Sequence, residues 1–266
     1  MRQVIFFACR QWKEEIEKID FWVVVICETV FFSLFFGGMG SILGNAGERA
    51  GICSVLPVSL LNMDFVLIIF GGYIMVVSDI FSTGKNTFML AMRSDRLRWF
   101  LGQVFYSFLM SVTYFVVVTG LQMVFYIGHL ETGLEWGSGV VSGTAFSGEF
   151  VLEVPSALLE QDVLQTFLSA LVFSVLLGIF FGMVCCVCNM CFRSGIGTAI
   201  CAGLIVMERI CVTNGANLGM KSPVGMLGNY LGMKSGDAVM TAVYYIFLIS
   251  ILISFGMYRI RKMDMA

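Results

Sequence analysis

The chain alternates between long apolar runs and short polar intervals. Six runs are long enough to matter: 21–42, 60–80, 99–128, 163–190, 194–213 and 238–258. Each approaches or exceeds the roughly 20 helical residues needed to cross a hydrocarbon core, and the longer ones have length to tilt. The third run carries no charged residue and the first carries a single acid, Glu28. The pattern predicts an all-α polytopic membrane bundle of six transmembrane helices in one transmembrane domain, 1–266, with no separate soluble unit.

The start of the chain has a different period. Val4, Ala8, Trp12, Ile16 and Ile19 recur at helical spacing opposite Lys13, Glu14, Glu17 and Lys18. That spacing predicts an amphipathic helix over 1–19 on the membrane interface, the alternative being an extension of the first span. Charges run through this segment without a small-residue cleavage site, so it does not read as a secretory signal. Near the fourth run, Pro155 ahead of Ala157–Leu159 predicts a helix that starts on the surface and runs into the span. The interval 214–237 is Gly-rich and too irregular to span; a re-entrant hairpin and a surface loop both fit it.

Composition agrees with the runs. Hydrophobic residues make up 58% and charged residues 13% of the 266 positions, too little polar surface to cover a soluble globule. The net charge of −2 matters less than where the cations sit. With both termini cytoplasmic, the inner side holds Arg2, Arg10, Lys13, Lys18, Lys85, Arg93, Arg96, Arg98, Arg193, Arg259, Arg261 and Lys262. The outer side then holds only Arg49, Arg209, Lys221 and Lys234, and the 129–162 loop is acidic through Glu131, Glu135, Glu149, Glu153, Glu160 and Asp162. The positive-inside rule therefore orients the bundle with cytoplasmic termini. No basic tract points to nucleic acid.

Candidate chemistry is sparse. The one histidine, His129, falls at the end of the third run, and no H-E-x-x-H, G-x-S-x-G or pair of intramembrane acids is present, which argues against a membrane-embedded enzyme. Gly84-Lys85 has neither the earlier Gly nor the following Ser or Thr of a phosphate-binding loop, so ATP and Mg belong on a partner and the chain carries no cofactor or metal of its own. Cys185, Cys186, Cys188 and Cys191 cluster on the fourth run without a histidine and read as small packing residues; a Cys53–Cys211 bridge is one further possibility. Glu28 costs on the order of 2.5–3 kcal/mol at mid-membrane, so it either contacts substrate or gate, or is a neutral acid bonded to a neighbouring helix. Glu208 and Arg209 are candidates for an outer gate; adjacent on a helix, they do not face one another, and Arg209 either pairs elsewhere or snorkels to headgroups.

The loop between the second and third runs reads DIFSTGKNTFMLAMRSDRLRWFLGQ over 79–103. Phe88, Met89, Met92 and Leu97 lie among Lys85, Arg93, Arg96 and Arg98, a short basic helix able to press apolar residues into a groove on a soluble partner; binding of anionic lipid is the alternative. This stretch resembles the signature of ABC-2 type transporter permeases, as do LGIFFG at 177–182 and CFRSGIG at 191–197. The resemblance implies a coupling helix over 84–98, with Gly84, Lys85, Asn86, Phe88, Met92, Arg93, Arg96 and Arg98 docking on cytoplasmic ABC ATPase subunits. It also implies a second copy or paralogue of the permease and an amphipathic or lipid-like cargo, with an antimicrobial peptide the first choice, in a bacterial plasma membrane. The family more often has Gly at position 93 and a basic residue at 103. An ion-gradient-coupled carrier using Glu28 and a non-transporting sensor or scaffold are the competing functional readings.

Overall fold

The computed structural model describes residues 2–78, 96–126, 128, 130–131, 133–142, 154–192, 195–215, 221–232 and 238–262, without the side chains of 35–44, 46, 125–126, 229 and 232. Gly84, Lys85, Asn86, Phe88, Met92, Arg93, His129, Glu149 and Glu153 lie outside the described residues. The described chain is helical, in the order α1 (Arg2–Ile16), α2 (Ile19–Ala46), α3 (Val55–Leu61), α4 (Met63–Val77), α5 (Arg96–Tyr126), α6 (Ser138–Val141), α7 (Ser156–Leu159), α8 (Val163–Cys191), α9 (Ile196–Thr213), α10 (Pro223–Gly232) and α11 (Ala238–Lys262). A two-residue parallel bridge joins β1 (Ala50–Gly51) to β2 (Leu130–Glu131).

Among the described residues, four helices are long and apolar enough to cross a membrane: α5, α8, α9 and α11. A fifth is added if α3 and α4, with the short turn before them, count as one broken span. These are the helices of a membrane-embedded, polytopic bundle. The first expected span, 21–42, falls within the 28-residue α2.

The bundle has a basic and an acidic end. Arg96 and Arg98 open α5, while Arg259, Arg261 and Lys262 close α11, and a Cβ on Gly256 would run into the Phe100 ring. The two basic termini are therefore side by side. At the other end stand Glu131, Glu135, Glu160 and Asp162, lining an open cleft of about 690 Å³ with Leu134 and Trp136. The Trp136 indole donates to the Gln161 carbonyl at 3.1 Å, fastening the cleft wall.

Helix α8 is the core element. Its middle is covered on every side, as expected of a helix apolar all round. Two glycines one turn apart let α5 approach it: a Cβ on Gly182 would lie 3.1 Å from Ser107 Oγ, and one on Gly178 would lie 3.0 Å from Ser111 Oγ and closer still to the Phe115 ring. This is small-residue helix packing, which substitutes close van der Waals contact for a hydrophobic force that lipid does not supply. The start of α9 approaches in the same way, with Gly197 against the Cys185 backbone.

Three expectations change shape. The 60–80 run is not one straight helix: α3 and α4 meet at 94°. Asn62 adopts extended backbone there, and its side chain accepts from the Asp64 amide at 2.8 Å, capping α4 and ending α3. Pro155 does open a helix, but α7 is a single turn, and α8 restarts at Val163 because Asp162 caps it through the Leu164 and Gln165 amides. Within 214–237, the described part forms α10, whose Val224, Leu227 and Leu231 are buried at the acidic end.

The amphipathic start is a helix of its own, separated from α2 at residues 17–18. It lies lengthwise along α5. Arg98 Nη1 donates to Gln3 Oε1 at 3.1 Å, the Phe7 ring covers Gly102, and the Gln11 and Gln103 amides exchange hydrogen bonds of 2.9 and 3.3 Å. Trp12 then donates to Thr113 Oγ1 at 2.9 Å. Numbers rise together on both helices, so they run in the same direction over the roughly 14 Å from Gln3 to Trp12.

Candidate functional site

Within the uncharged run of α5, five polar side chains share one face. Gln103, Ser107, Ser111, Tyr114 and Gln122 recur at multiples of three and four residues, and all five are fully buried. From Gln103 to Gln122 this seam measures about 28 Å along the helix, close to the thickness of a hydrocarbon core.

At the middle of the seam three helices meet on one hydroxyl. The Tyr114 hydroxyl meets Glu28 Oε1 from α2 and lies 2.6 Å from the Ile69 carbonyl of α4. Glu28 is 2% exposed. A phenol carries one proton and a backbone carbonyl only accepts, so both contacts are satisfied together only when Glu28 brings a proton of its own and donates it to the tyrosine oxygen. Gly72 of α4 makes room for the junction; a Cβ there would strike Glu28 Oε1 and the Tyr114 hydroxyl and come within 3.0 Å of Val24 Cγ1. One turn away Tyr73 shares a 2.7 Å hydrogen bond with Ser111, which donates to the Ser107 carbonyl at 2.8 Å, and the Tyr73 and Tyr114 rings meet edge to face at 5.3 Å.

The seam is tied at both ends. Gln103 holds Gln11 of α1, and Gln122 Oε1 accepts from Ser59 of α3 at 3.3 Å. Several of its atoms have no hydrogen-bond partner among the described residues: Glu28 Oε2, Ser107 Oγ and Gln122 Nε2. In a low-dielectric interior such atoms are costly, and an arrangement that leaves them unpaired is one that a rearrangement or a passing polar group can improve.

Of the residues singled out in the sequence, Glu28 is at the centre of this junction. Arg209 pairs with Asp64 of α4 at 2.6 Å, so it is held by a neighbouring helix. Glu208 turns the other way, 1% exposed and with neither carboxylate oxygen bonded among the described residues. Arg96 and Arg98 stand in the first turn of α5, far along the chain from Glu28 but on the helix that holds it. The Cys53–Cys211 bridge is not formed; all nine cysteines are free thiols, and Cys185 approaches Cys201 at 3.9 Å as part of the α8–α9 contact. Among the described residues no group of three His, Cys, Asp or Glu is placed to hold a metal.

Sequence reasoning missed the seam and its glycines. The signal was there: polar residues at helical spacing inside an uncharged run, with GIFFG in the next long apolar run. Comparison with protein-family models, curated proteins and solved structures finds no match, so the function has to be read from the chain's own residues.

Proposed function

We propose that this chain is the membrane-spanning permease subunit of an ATP-driven ABC exporter, with its basic end and both termini on the cytoplasmic side of a bacterial plasma membrane. One observation carries the reading. α1 is strapped along the first half of α5, and the same α5 holds Glu28 of α2 and the Ile69 carbonyl of α4 through Tyr114. A push on the basic loop that leads into Arg96 and Arg98 is thereby delivered to the centre of the bundle, about 25 Å along one rigid helix. Cytoplasmic ABC ATPase subunits, carrying ATP and Mg, would supply the push, and a second permease copy or a paralogue would complete the pathway.

The cargo of this reading is amphipathic, an antimicrobial peptide before a lipid. The acidic cleft at the far end, with Glu131, Glu135, Glu160 and Asp162 beside the exposed Leu134, offers negative charge and an apolar surface to a cationic amphipathic chain. Purification of the tagged chain from its native membrane, followed by identification of what accompanies it and assay of ATP hydrolysis, tests the proposal. A stoichiometric ATPase with substrate-stimulated turnover supports it; a chain that is repeatedly alone under gentle conditions defeats it.

A second reading rests on Glu28 Oε2, buried and without a hydrogen-bond partner among the described residues. It makes the chain an ion-gradient-coupled carrier with Glu28 as the proton or sodium site. Collapse of transport by an ionophore while ATP is intact selects this reading over the first.

A further inference from the structure

Glu208 is a buried carboxyl that the transport reading leaves unused. It is 1% exposed, both carboxylate oxygens lack a hydrogen-bond partner among the described residues, and the neighbouring cation, Arg209, is already bound to Asp64. Adjacent residues on a helix are about 100° apart, so Arg209 does not turn back to it.

The register of α8 on α9 gives the level of α8 that Glu208 reaches. The two helices run antiparallel, with Gly197 against Cys185 and the Cys201 thiol 3.7 Å from the Phe181 carbonyl. Two turns farther along each helix from that last contact, on the same faces, stand Ser174 and Glu208. Ser174 is fully buried, and its hydroxyl also has no partner among the described residues. The Arg209–Asp64 pair brings this level of α9 against the first turn of α4, where the helix ladder is broken. There the Asp64 amide bonds the Asn62 side chain, where a continuous helix would have bonded it to the carbonyl of Leu60, a buried residue.

We propose that Glu208 and Ser174 form a binding site for a monovalent cation of the size of sodium, between α8 and α9 beside the α3–α4 break. The chemistry follows from the donors: a carboxylate, a hydroxyl and released backbone carbonyls are hard oxygen ligands, and broken membrane helices offer such carbonyls to sodium. A divalent ion is disfavoured because calcium takes six to eight oxygens, commonly with several carboxylates, whereas one carboxylate balances one monovalent charge. The proposal goes beyond the transport reading and does not depend on what drives transport.

The test is thermal unfolding of the purified full chain in lipid nanodiscs, titrated with NaCl against choline chloride at constant ionic strength. Sodium is expected to raise Tm saturably, by a few degrees once it is in about hundredfold excess over its Kd, and choline is not. Glu208→Gln is expected to abolish the difference. Should that variant not fold, Ser174→Ala serves instead, with the sodium midpoint raised at least about tenfold by loss of one buried ligand. Equal shifts in sodium and choline, a sodium shift retained in Glu208→Gln, or a Tm that follows pH and ignores sodium would each overturn the assignment.

Discussion

Tyr114 is the residue on which most depends. Removing its hydroxyl leaves Glu28 and the Ile69 carbonyl buried without their shared partner, so Tyr114→Phe should cost roughly 1–3 kcal/mol in detergent unfolding. Glu28→Gln keeps a donor in place and should cost less. A double-mutant cycle measures the difference as coupling, and additive losses would show that the junction is not a unit. Gly72→Ala is the complementary test: the added methyl meets Glu28, Tyr114 and Val24 at once, and overpacking of this kind costs about 1–3 kcal/mol. Unfolding that matches the parent would mean that the three helices do not close on Gly72.

At the scale of elements, the bundle is organised by where helices come close and where they stop. Gly182→Leu should separate α5 from α8, lowering stability by several kcal/mol or preventing assembly, because Ser107 and the Tyr73 hydroxyl occupy the space; detergent unfolding of the purified variant reads it. The Arg209–Asp64 pair is half exposed, with 50% and 41% of its side chains accessible. Its removal by Asp64→Asn should therefore change stability by less than about 1 kcal/mol, and less still at high salt. A larger loss would mark the pair as a structural clamp on the α3–α4 break. Asn62 owes its place there to capping: the hydrogen bond to the Asp64 amide replaces the one an unbroken helix would have made.

For the whole molecule, the expectation is that force applied at one end is felt at the centre. Arg96→Glu should weaken ATPase association without disturbing the bundle, since α5 is anchored by Gln103, Tyr114 and its glycine contacts further along. Unchanged subunit stoichiometry after purification would place the docking surface elsewhere. Glu28→Gln should lower export by at least about tenfold while leaving assembly intact, as the loss of a contact that must re-form during each cycle. Export at the parental rate would remove Glu28 from the pathway.

The long apolar runs were enough to announce a helical membrane bundle, because a lipid-exposed backbone must satisfy its own hydrogen bonds and only long apolar helices do so here. They also placed Glu28 as an outlier, since an acid in such a run needs a partner, a cavity or a proton. Local composition did not disclose the partner of Glu28, because Tyr114 lies 86 residues away and tyrosine is unremarkable at a membrane helix. It put Glu208 and Arg209 on different faces without saying what each would meet, and only the packing of α9 against its neighbours turned one to an ion pair and buried the other. The break at Asn62 was hidden for a similar reason, as capping by one side chain overrode an apolar pattern that favours continuity. What the sequence determined alone was the solvent the helices need; which polar atoms meet inside was decided by helix register, which exists only once the helices are packed.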